Sequence, residues 1–465
     1  MTRKVPMGAA ALILAAGEGT RMKSALPKVA HCILGVPLVR YVIDAAHAAG
    51  CEQVVVVTGH GAEAVEALVG SETCVRQEEQ LGTGHAVMCA EKALEDLTGA
   101  LVVLSGDSPL LRPETIARLV VARETSRAAA VVLTTTLADP AGYGRIVRDE
   151  VGALAAIVED KDLAPSQRSI VEVNTGTYCF DAEVLFEHLN RLGNANSQGE
   201  YYLTDMIALF RAEGLTVTDV STDQPEETLG VNSRVQLAEA SKVMQRRINR
   251  EHMLAGVTMT DPDLVWIAPA VTVGRDVILE PMTTLLGTTT VADGCVLGPD
   301  TRITDSTVAA GAVVDSSVVL EAIVGEGASV GPRAYLRPGA VLEARARAGT
   351  SVEIKNSVVG EGSKVPHLSY IGDATIGKGV NVGAGTITCN YDGVHKHRTV
   401  IGDGAFIGSD TMLVAPVTIG EGAITGAGSA IAKDVPAGSL GIERCGQKNI
   451  DGWAARKRAA QGNDE

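Results

Sequence analysis

The sequence has little aromatic content, a deficit of positive charge, no paired-cysteine pattern and no long apolar run. Phe, Trp and Tyr make up 3% of 465 residues, as expected where short aliphatic strands fill a narrow core. The net charge is −16. A bulk nucleic-acid partner needs clustered Lys and Arg against its phosphates, so no nucleic acid is expected. A small phosphorylated ligand needs only a local cradle and stays open. The eight cysteines are scattered, without CxxC or a metal-like Cys/His spacing, which fits reduced thiols and a cytoplasmic location. No apolar stretch approaches the length that spans a bilayer, so no membrane partner is expected. Arg3-Lys4 before Gly8–Ala16 is superficially like a signal peptide. That run flows directly into a functional-looking loop, which cleavage would destroy.

What the sequence has is glycine, 51 residues, much of it on a six-residue beat. Ile401-Gly402, Ile407-Gly408, Leu413-Val414, Ile419-Gly420, Thr425-Gly426 and Ile431 keep that beat, with Thr425 its one lapse. Helices repeat near 3.6 and strands near 2, so neither explains a period of six. A parallel β-helix of hexapeptides does, with the aliphatic residue inside and glycine at the turn. Val324, Val330, Leu336, Leu342, Val359, Val365 and Ile371 extend the beat upstream, and weaker hexads reach back to about Val271. Roughly nine or ten coils follow at three hexads per coil. Between Thr388 and Val400 the beat breaks, which predicts a loop extruded on one face.

The first half reads differently. Ala10–Ala16 is a buried strand running into Gly17-Glu18-Gly19-Thr20-Arg21-Met22 and then Leu26-Pro27-Lys28. A glycine-rich loop after a strand turns backbone N–H groups toward a phosphate, and Arg21 and Lys28 add charge. The loop is neither a Walker A motif nor a GxGxxG fingerprint. Val39–Ala49 is helical in spacing, and Val54–Thr58 and Leu101–Leu104 are strands. Asp107, just past Ser105-Gly106, falls at the carboxyl edge of a parallel sheet, where open α/β folds bind ligands. These alternations predict an α/β, Rossmann-like, doubly wound domain. From Thr228 to about Leu254 the apolar spacing is helical, with a basic cluster at Arg246-Arg247 and Arg250 that reads as a solvated face. The predicted organisation is residues 1–233, a helical linker 234–255, and a β-helix with a C-terminal tail, 256–465.

The string from Leu14 to Lys28, L-A-A-G-x-G-T-R-M-x-x-x-x-P-K, resembles the signature of sugar-1-phosphate nucleotidyltransferases. Gln77 to Ala86, Gly142-to-Val147 around Tyr143-Gly144-Arg145, Glu159 to Asp162, Asn174-Thr175-Gly176 and Gly230-Val231-Asn232 match further motifs of that family in order. In the second half, Leu336 to Gly339, Val352 to Asn356, Lys364 to Asp373, Asn381 to Thr386 and Thr388 to Gly393 are similar to the bacterial bifunctional enzymes of UDP-N-acetylglucosamine synthesis. The resemblance covers about residues 8–455. It implies that the β-helix is left-handed and that one chain carries two reactions. One acetylates glucosamine 1-phosphate with acetyl-CoA. The other joins N-acetylglucosamine 1-phosphate to the uridylyl group of UTP.

By this resemblance, Leu14, Ala15, Ala16, Gly17, Arg21 and Lys28 hold the triphosphate, and Gln77, Gly82 and Thr83 the base. Asp107 and Asn232 hold Mg²⁺; Gly144, Glu159 and Asn174 hold the sugar. Ser105-Gly106-Asp107 stands where some relatives have Tyr-Gly-Asp, which keeps the carboxylate and alters a ribose-side contact. In the β-helix, Arg337, Lys355, Tyr370 and Asn381 bind glucosamine 1-phosphate, with Asn390, Tyr391 and Lys396 at the shared site. His367 takes the amine proton, as an imidazole can near neutral pH. Ala384, Ser409, Ala427 and Arg444 line the acetyl-CoA groove, although Leu440 to Glu443 replaces the more usual small-residue run before Arg444. The resemblance also implies a homotrimer, with the 388–400 loop reaching a neighbouring subunit. Two rival readings remain: a nucleotidyltransferase whose β-helix only oligomerises or regulates, and a scaffold without activity. The polar cluster from His367 to Lys396 is what neither rival needs.

Overall fold

A computed structural model describes residues 8–461. The chain divides into two compact units, Met1–Arg247 and Ile248–Glu465.

The first unit is built on one mixed sheet. Its strands are β1 (Ala10–Leu14), β4 (Gln53–Thr58), β5 (Thr73–Arg76), β6 (Ala100–Ser105), β7 (Ala130–Thr136), β8 (Arg145–Arg148), β9 (Leu154–Val158), β10 (Glu172–Asp181) and β11 (Val217–Ser221). A short hairpin, β2 (Cys32–Ile33) and β3 (Val36–Pro37), stands apart. The main order is β11-β7-β10-β6-β1-β4-β5, with β8 and β9 attached beside β10. β1, β4, β5 and β6 run parallel, whereas β10 runs antiparallel to β6 and β7. The Rossmann-like fold is thus mixed rather than wholly parallel.

Period-2 alternation sends successive β1 side chains to opposite faces. Leu12 joins one core with Val55, Val103 and Phe180, and Ile13 joins the other with Val56, Leu104 and Ile116. Both sheet faces are therefore covered. α1 (Leu38–Ala49), α2 (Ala62–Val69) and α4 (Pro113–Ser126) supply residues to the Ile13 core. α3 (Thr83–Ala90), α5 (Ala182–Leu189) and α6 (Asp205–Ala212) supply the Leu12 core. The chain leaves β1 toward β4 and β5, then returns to place β6 on the other side of β1. That reversal opens a crevice at the carboxyl ends of β1 and β6.

Helical spacing predicted a start near Thr228, but α7 runs Arg234–Leu254. Pro225–Thr228 forms a 3₁₀ turn and Leu229 is extended, so the chain straightens before the helix. Arg246 and Arg250 are exposed and Arg247 is half-buried, so the cluster is not one uniformly exposed face.

The second unit is a left-handed parallel β-helix of hexapeptide repeats, with three sheets of 11, 10 and 9 short strands. It begins with Thr258–Met259, paired to Ile278–Leu279, earlier than the hexads at Val271 suggested. A 3₁₀ turn, Pro262–Leu264, lengthens the first coil and hides its beat. Each hexad points one aliphatic residue inward; along one of the three sheets, Leu285, Ile303, Val319, Leu336, Ile354 and Ile371 are all fully buried. The Thr425 lapse is satisfied internally. Thr425 is 1% exposed, and its Oγ1 accepts from Gly408 N at 2.9 Å and bonds Thr411 Oγ1 at 3.2 Å. The described part of the tail includes α8, Trp453–Gln461.

Candidate functional site

A cavity of about 490 Å³ lies in the crevice of the first unit, within the size range of small-ligand sites. Its lining includes Leu14, Ala15, Ala16, Gly17, Lys28, Gln77, Gly82, Thr83, Ser105, Asp107, Gly144, Glu159 and Asn174. Thirteen of the sixteen sequence-predicted residues are thus brought together from across the unit. Gly106 sits behind them, its N–H donating to Leu14 O at 2.9 Å. Asn232 accepts from Lys28 Nζ at 2.9 Å. Arg21 is exposed on a 3₁₀ turn, outside the lining.

Local chemistry explains this convergence. Gly19 has φ 65°, and a Cβ there would stand 2.6 Å from Lys28 Cβ. Glycine therefore lets the Lys28 segment fold against the loop. Gly82 has φ 105°, and its Cβ would lie 2.7 Å from Tyr201 O. A Cβ on Gly84 would lie 2.7 Å from Leu192 Cδ1. Both glycines let the start of α3 dock on the Glu200–Tyr201 segment, where Gly84 N donates to Tyr201 O at 2.8 Å. Sequence reasoning passed over that wall, formed by Glu200, Leu203 and Thr204. The paired glycines of Gly82-Thr83-Gly84 were its only local signal.

The electrostatics are polarised. Lys28 Nζ donates to the Asp107 carboxylate and to Asn232 Oδ1. Two oxygen donors, 125 residues apart in number, therefore converge on one cation. Ser105 Oγ donates to the other Asp107 oxygen at 2.7 Å. Across the cavity, burial pushes the Glu159 carboxyl above its ordinary pKa, against the opposing hydrogen bond from Thr204. Asn174 Nδ2 donates to Tyr178 Oη at 2.7 Å, which fixes the amide beside Gly144.

The second unit carries its polar residues on two corners of the coil. His367 ends the strand Lys364–His367 and is exposed. Successive turns stack on this corner. Gly385 N donates to Leu368 O at 3.0 Å, Asp410 N to Ala384 O at 2.6 Å and Gly428 N to Ser409 O at 2.8 Å. Arg444 Nη1 then donates to Ala427 O at 2.8 Å. His367, Ala384, Ser409, Ala427 and Arg444 thus follow one corner, with about 14 Å from His367 to Ala427 at strand spacing.

Arg337, Lys355 and Tyr370 occupy the neighbouring sheet, where Glu353 pairs with Tyr370 and Lys355 with Gly372. Arg337 bonds Glu353 at 2.7 Å. Asn381 lies one coil above Lys364 on the first sheet. The break in the beat is an extruded loop. Tyr391 and Lys396 bridge across it, and Asp392 Oδ1 accepts from Val394 N and His395 N at 2.8 and 2.6 Å. The loop brings Lys396 to Lys355, whose ammonium is held below its ordinary pKa by the hydrogen-bonded Lys396. Burial works to raise the Asp373 carboxyl, yet amide donors from Asn356 and Asn390 keep it low. Two ammoniums and a guanidinium held this close make a seat for a phosphate.

Family profiles match both units. Residues 11–173 match the MobA-like NTP transferase domain, and residues 398–433 match the bacterial transferase hexapeptide of six repeats. Curated relatives extend along nearly the whole chain. A bifunctional protein GlmU from Heliobacterium modesticaldum is 52% identical, over 96% of this chain and 98% of its own length. The chain belongs to the bifunctional GlmU family. A GlmU from Trichlorobacter lovleyi is 51% identical over 97% of this chain and 98% of its own. One from Halalkalibacterium halodurans is 49% identical over 96% and 98%. As a GlmU-family member the chain is a bifunctional enzyme, with an NTP transferase half and a hexapeptide transferase half.

Proposed function

We propose that the first unit transfers a uridylyl group from UTP to N-acetylglucosamine 1-phosphate, and that the second acetylates glucosamine 1-phosphate with acetyl-CoA. Residues 1–233 and 256–465 carry the two reactions, and 234–255 links them. The observation that carries this reading is the cationic cluster of Arg337, Lys355 and Lys396, with exposed His367 on the neighbouring sheet, on an otherwise aliphatic solenoid. A β-helix that only oligomerised would not need it.

In the first site the N–H groups of the Ala15–Gly17 loop and Lys28 cradle the triphosphate, and Arg21 reaches it from the rim. Ser105 faces the ribose, and Gln77, Gly82 and Thr83 face the base. Gly144, Glu159 and Asn174 hold the sugar so that its phosphate oxygen attacks the α-phosphorus in line. One P–O bond forms, another breaks, and pyrophosphate leaves. Such a transfer depends on positioning and charge neutralisation. Asp107 and Asn232 fit Mg²⁺, because two hard oxygen donors already converge on a single cation. Bound there, Mg²⁺ would neutralise phosphate charge.

In the second site Arg337 and the two lysines hold the sugar phosphate, and Tyr370, Asn381, Asn390 and Tyr391 surround the sugar. The amine attacks the thioester carbonyl, His367 takes the amine proton, and the thiolate of coenzyme A leaves. Ala384, Ser409 and Ala427 form a small-residue wall for acetyl-CoA, which Arg444 closes. His367, Ser409, Ala427 and Arg444 are exposed, which supports a homotrimer in which a neighbouring copy completes the site. The eight cysteines are all unpaired, which supports a cytoplasmic enzyme. Among the described residues no helix is long and apolar enough to cross a membrane.

Two variants separate the reactions. Asp107→Ala is expected to lower pyrophosphate release at least a hundredfold and leave acetylation intact. His367→Ala is expected to do the reverse. Unchanged acetylation in His367→Ala would establish the rival reading of a non-catalytic β-helix.

A further inference from the structure

Behind the base-facing wall of the first cavity stands a histidine, His85, that no role above uses. Gln77 is 4% exposed. Its amide nitrogen donates to Gly82 O at 3.1 Å and to His85 Nδ1 at 3.1 Å. The orientation follows from chemistry alone. A backbone carbonyl only accepts, so the amide atom facing Gly82 O is the NH₂ group. His85 Nδ1, facing that same NH₂, must be the unprotonated acceptor, and the ring proton then sits on Nε2. Nε2 lies 3.9 Å from Cys89 Sγ, one helical turn along α3, where burial keeps the sulfur a thiol by raising its pKa. Both amide protons of Gln77 are thus spent. Among the described residues nothing donates to Gln77 Oε1, and Gln77 lines the cavity.

We infer that His85 is a positioning residue that locks the Gln77 amide so that only its carbonyl oxygen faces the nucleobase. This inference rests on the reading of the cavity as a UTP site. An acceptor at that place pairs with the N3–H of uracil. Against cytosine it would meet the N3 lone pair, and a site built to hydrogen-bond one edge rejects the other strongly. His85 itself does not line the cavity, so it acts through Gln77. Without His85 the amide keeps only its bond to Gly82 O, so it is held less firmly and its oxygen is presented to the base less often.

The experiment measures steady-state kinetics with UTP and with CTP for the wild type, His85→Ala, His85→Asn and Gln77→Leu. Alanine suits a helix interior, and asparagine can place an acceptor oxygen near the position of Nδ1. His85→Ala is expected to raise KM for UTP about tenfold, with kcat little changed, and to lower the UTP-over-CTP preference by about the same factor. His85→Asn should recover most of both. Circular dichroism and thermal unfolding of each variant report folding of the first unit. The side-chain amide ¹⁵N resonance of Gln77 gives a ligand-free reading and should shift in His85→Ala alone. An unchanged preference in His85→Ala while Gln77→Leu loses it would overturn the role of His85. Equal loss in His85→Ala and His85→Asn would overturn it too. A wild type without preference for UTP would overturn the base-site reading, and this inference with it.

Discussion

Gly372 shows how much a single hydrogen atom in place of a side chain can decide. It lies two residues past Tyr370 on the same strand, so both project from the same sheet face. A Cβ there would stand 2.5 Å from Tyr370 Oη and 2.8 Å from Asn390 Nδ2. The phenol ring thus lies across the space that glycine leaves. Gly372→Ala is expected to push Tyr370 and Asn390 aside and to lower acetyl transfer between about tenfold and a hundredfold. Uridylyl transfer should be unaffected. Unchanged kcat/KM for glucosamine 1-phosphate would show that the ring position is immaterial. The string Tyr370-Ile371-Gly372 was legible in the sequence, but this reason for its glycine was not. The contact depends on a loop residue, Asn390, folded back from eighteen positions downstream. Lys28 and Asn232 make the same point, being linked at 2.9 Å across 204 residues.

At the scale of elements, the sequence was most readable where neighbours repeat. Every hexad meets an equivalent hexad above and below, so Ile354 and Ile371 report burial through local spacing alone. The loop that interrupts the hexads was readable as an interruption, and its internal order was not. Asp392 organises it, accepting from Val394 N, His395 N and His397 Nε2. The His395 backbone bond, the His397 ring and the Val394 bond hold its pKa down at about 2. A carboxyl with a depressed pKa stabilises the ordered loop above its unfolded value, near 4, and loses that contribution as pH falls toward 2. The Val394 and His395 amide resonances are therefore expected to move to loop-like shifts between about pH 4 and pH 2. In Asp392→Asn the same shift should be present at neutral pH, with weaker binding of glucosamine 1-phosphate. A transition centred near pH 6 would instead assign the loop's order to a histidine.

On the proposed reading, the two units differ in what a single chain can complete. The first surrounds its ligand space within itself, with walls from the β1 loop, α3 and the Glu200–Thr204 segment. The mixed sheet was partly legible from its alternating strands and helices. The antiparallel β10 was not, because pairing direction leaves no mark on apolar spacing. The second unit offers its candidate residues on an outer surface, with His367, Ser409, Tyr391 and Lys396 all exposed. An acyl transfer run on an open corner would leave the thioester exposed to water, and an active site gains from excluding it. A second copy of the chain is the simplest cover, since a solenoid presents the same surface on every copy. Dilution then separates the two reactions. Acetyl transfer per chain should fall steeply once the protein is diluted below its assembly constant, while pyrophosphate release per chain stays level. Sedimentation at the same concentrations should show the assembled form disappearing in step with acetylation. Equal specific activity in both reactions across dissociation would place the whole second site within one chain.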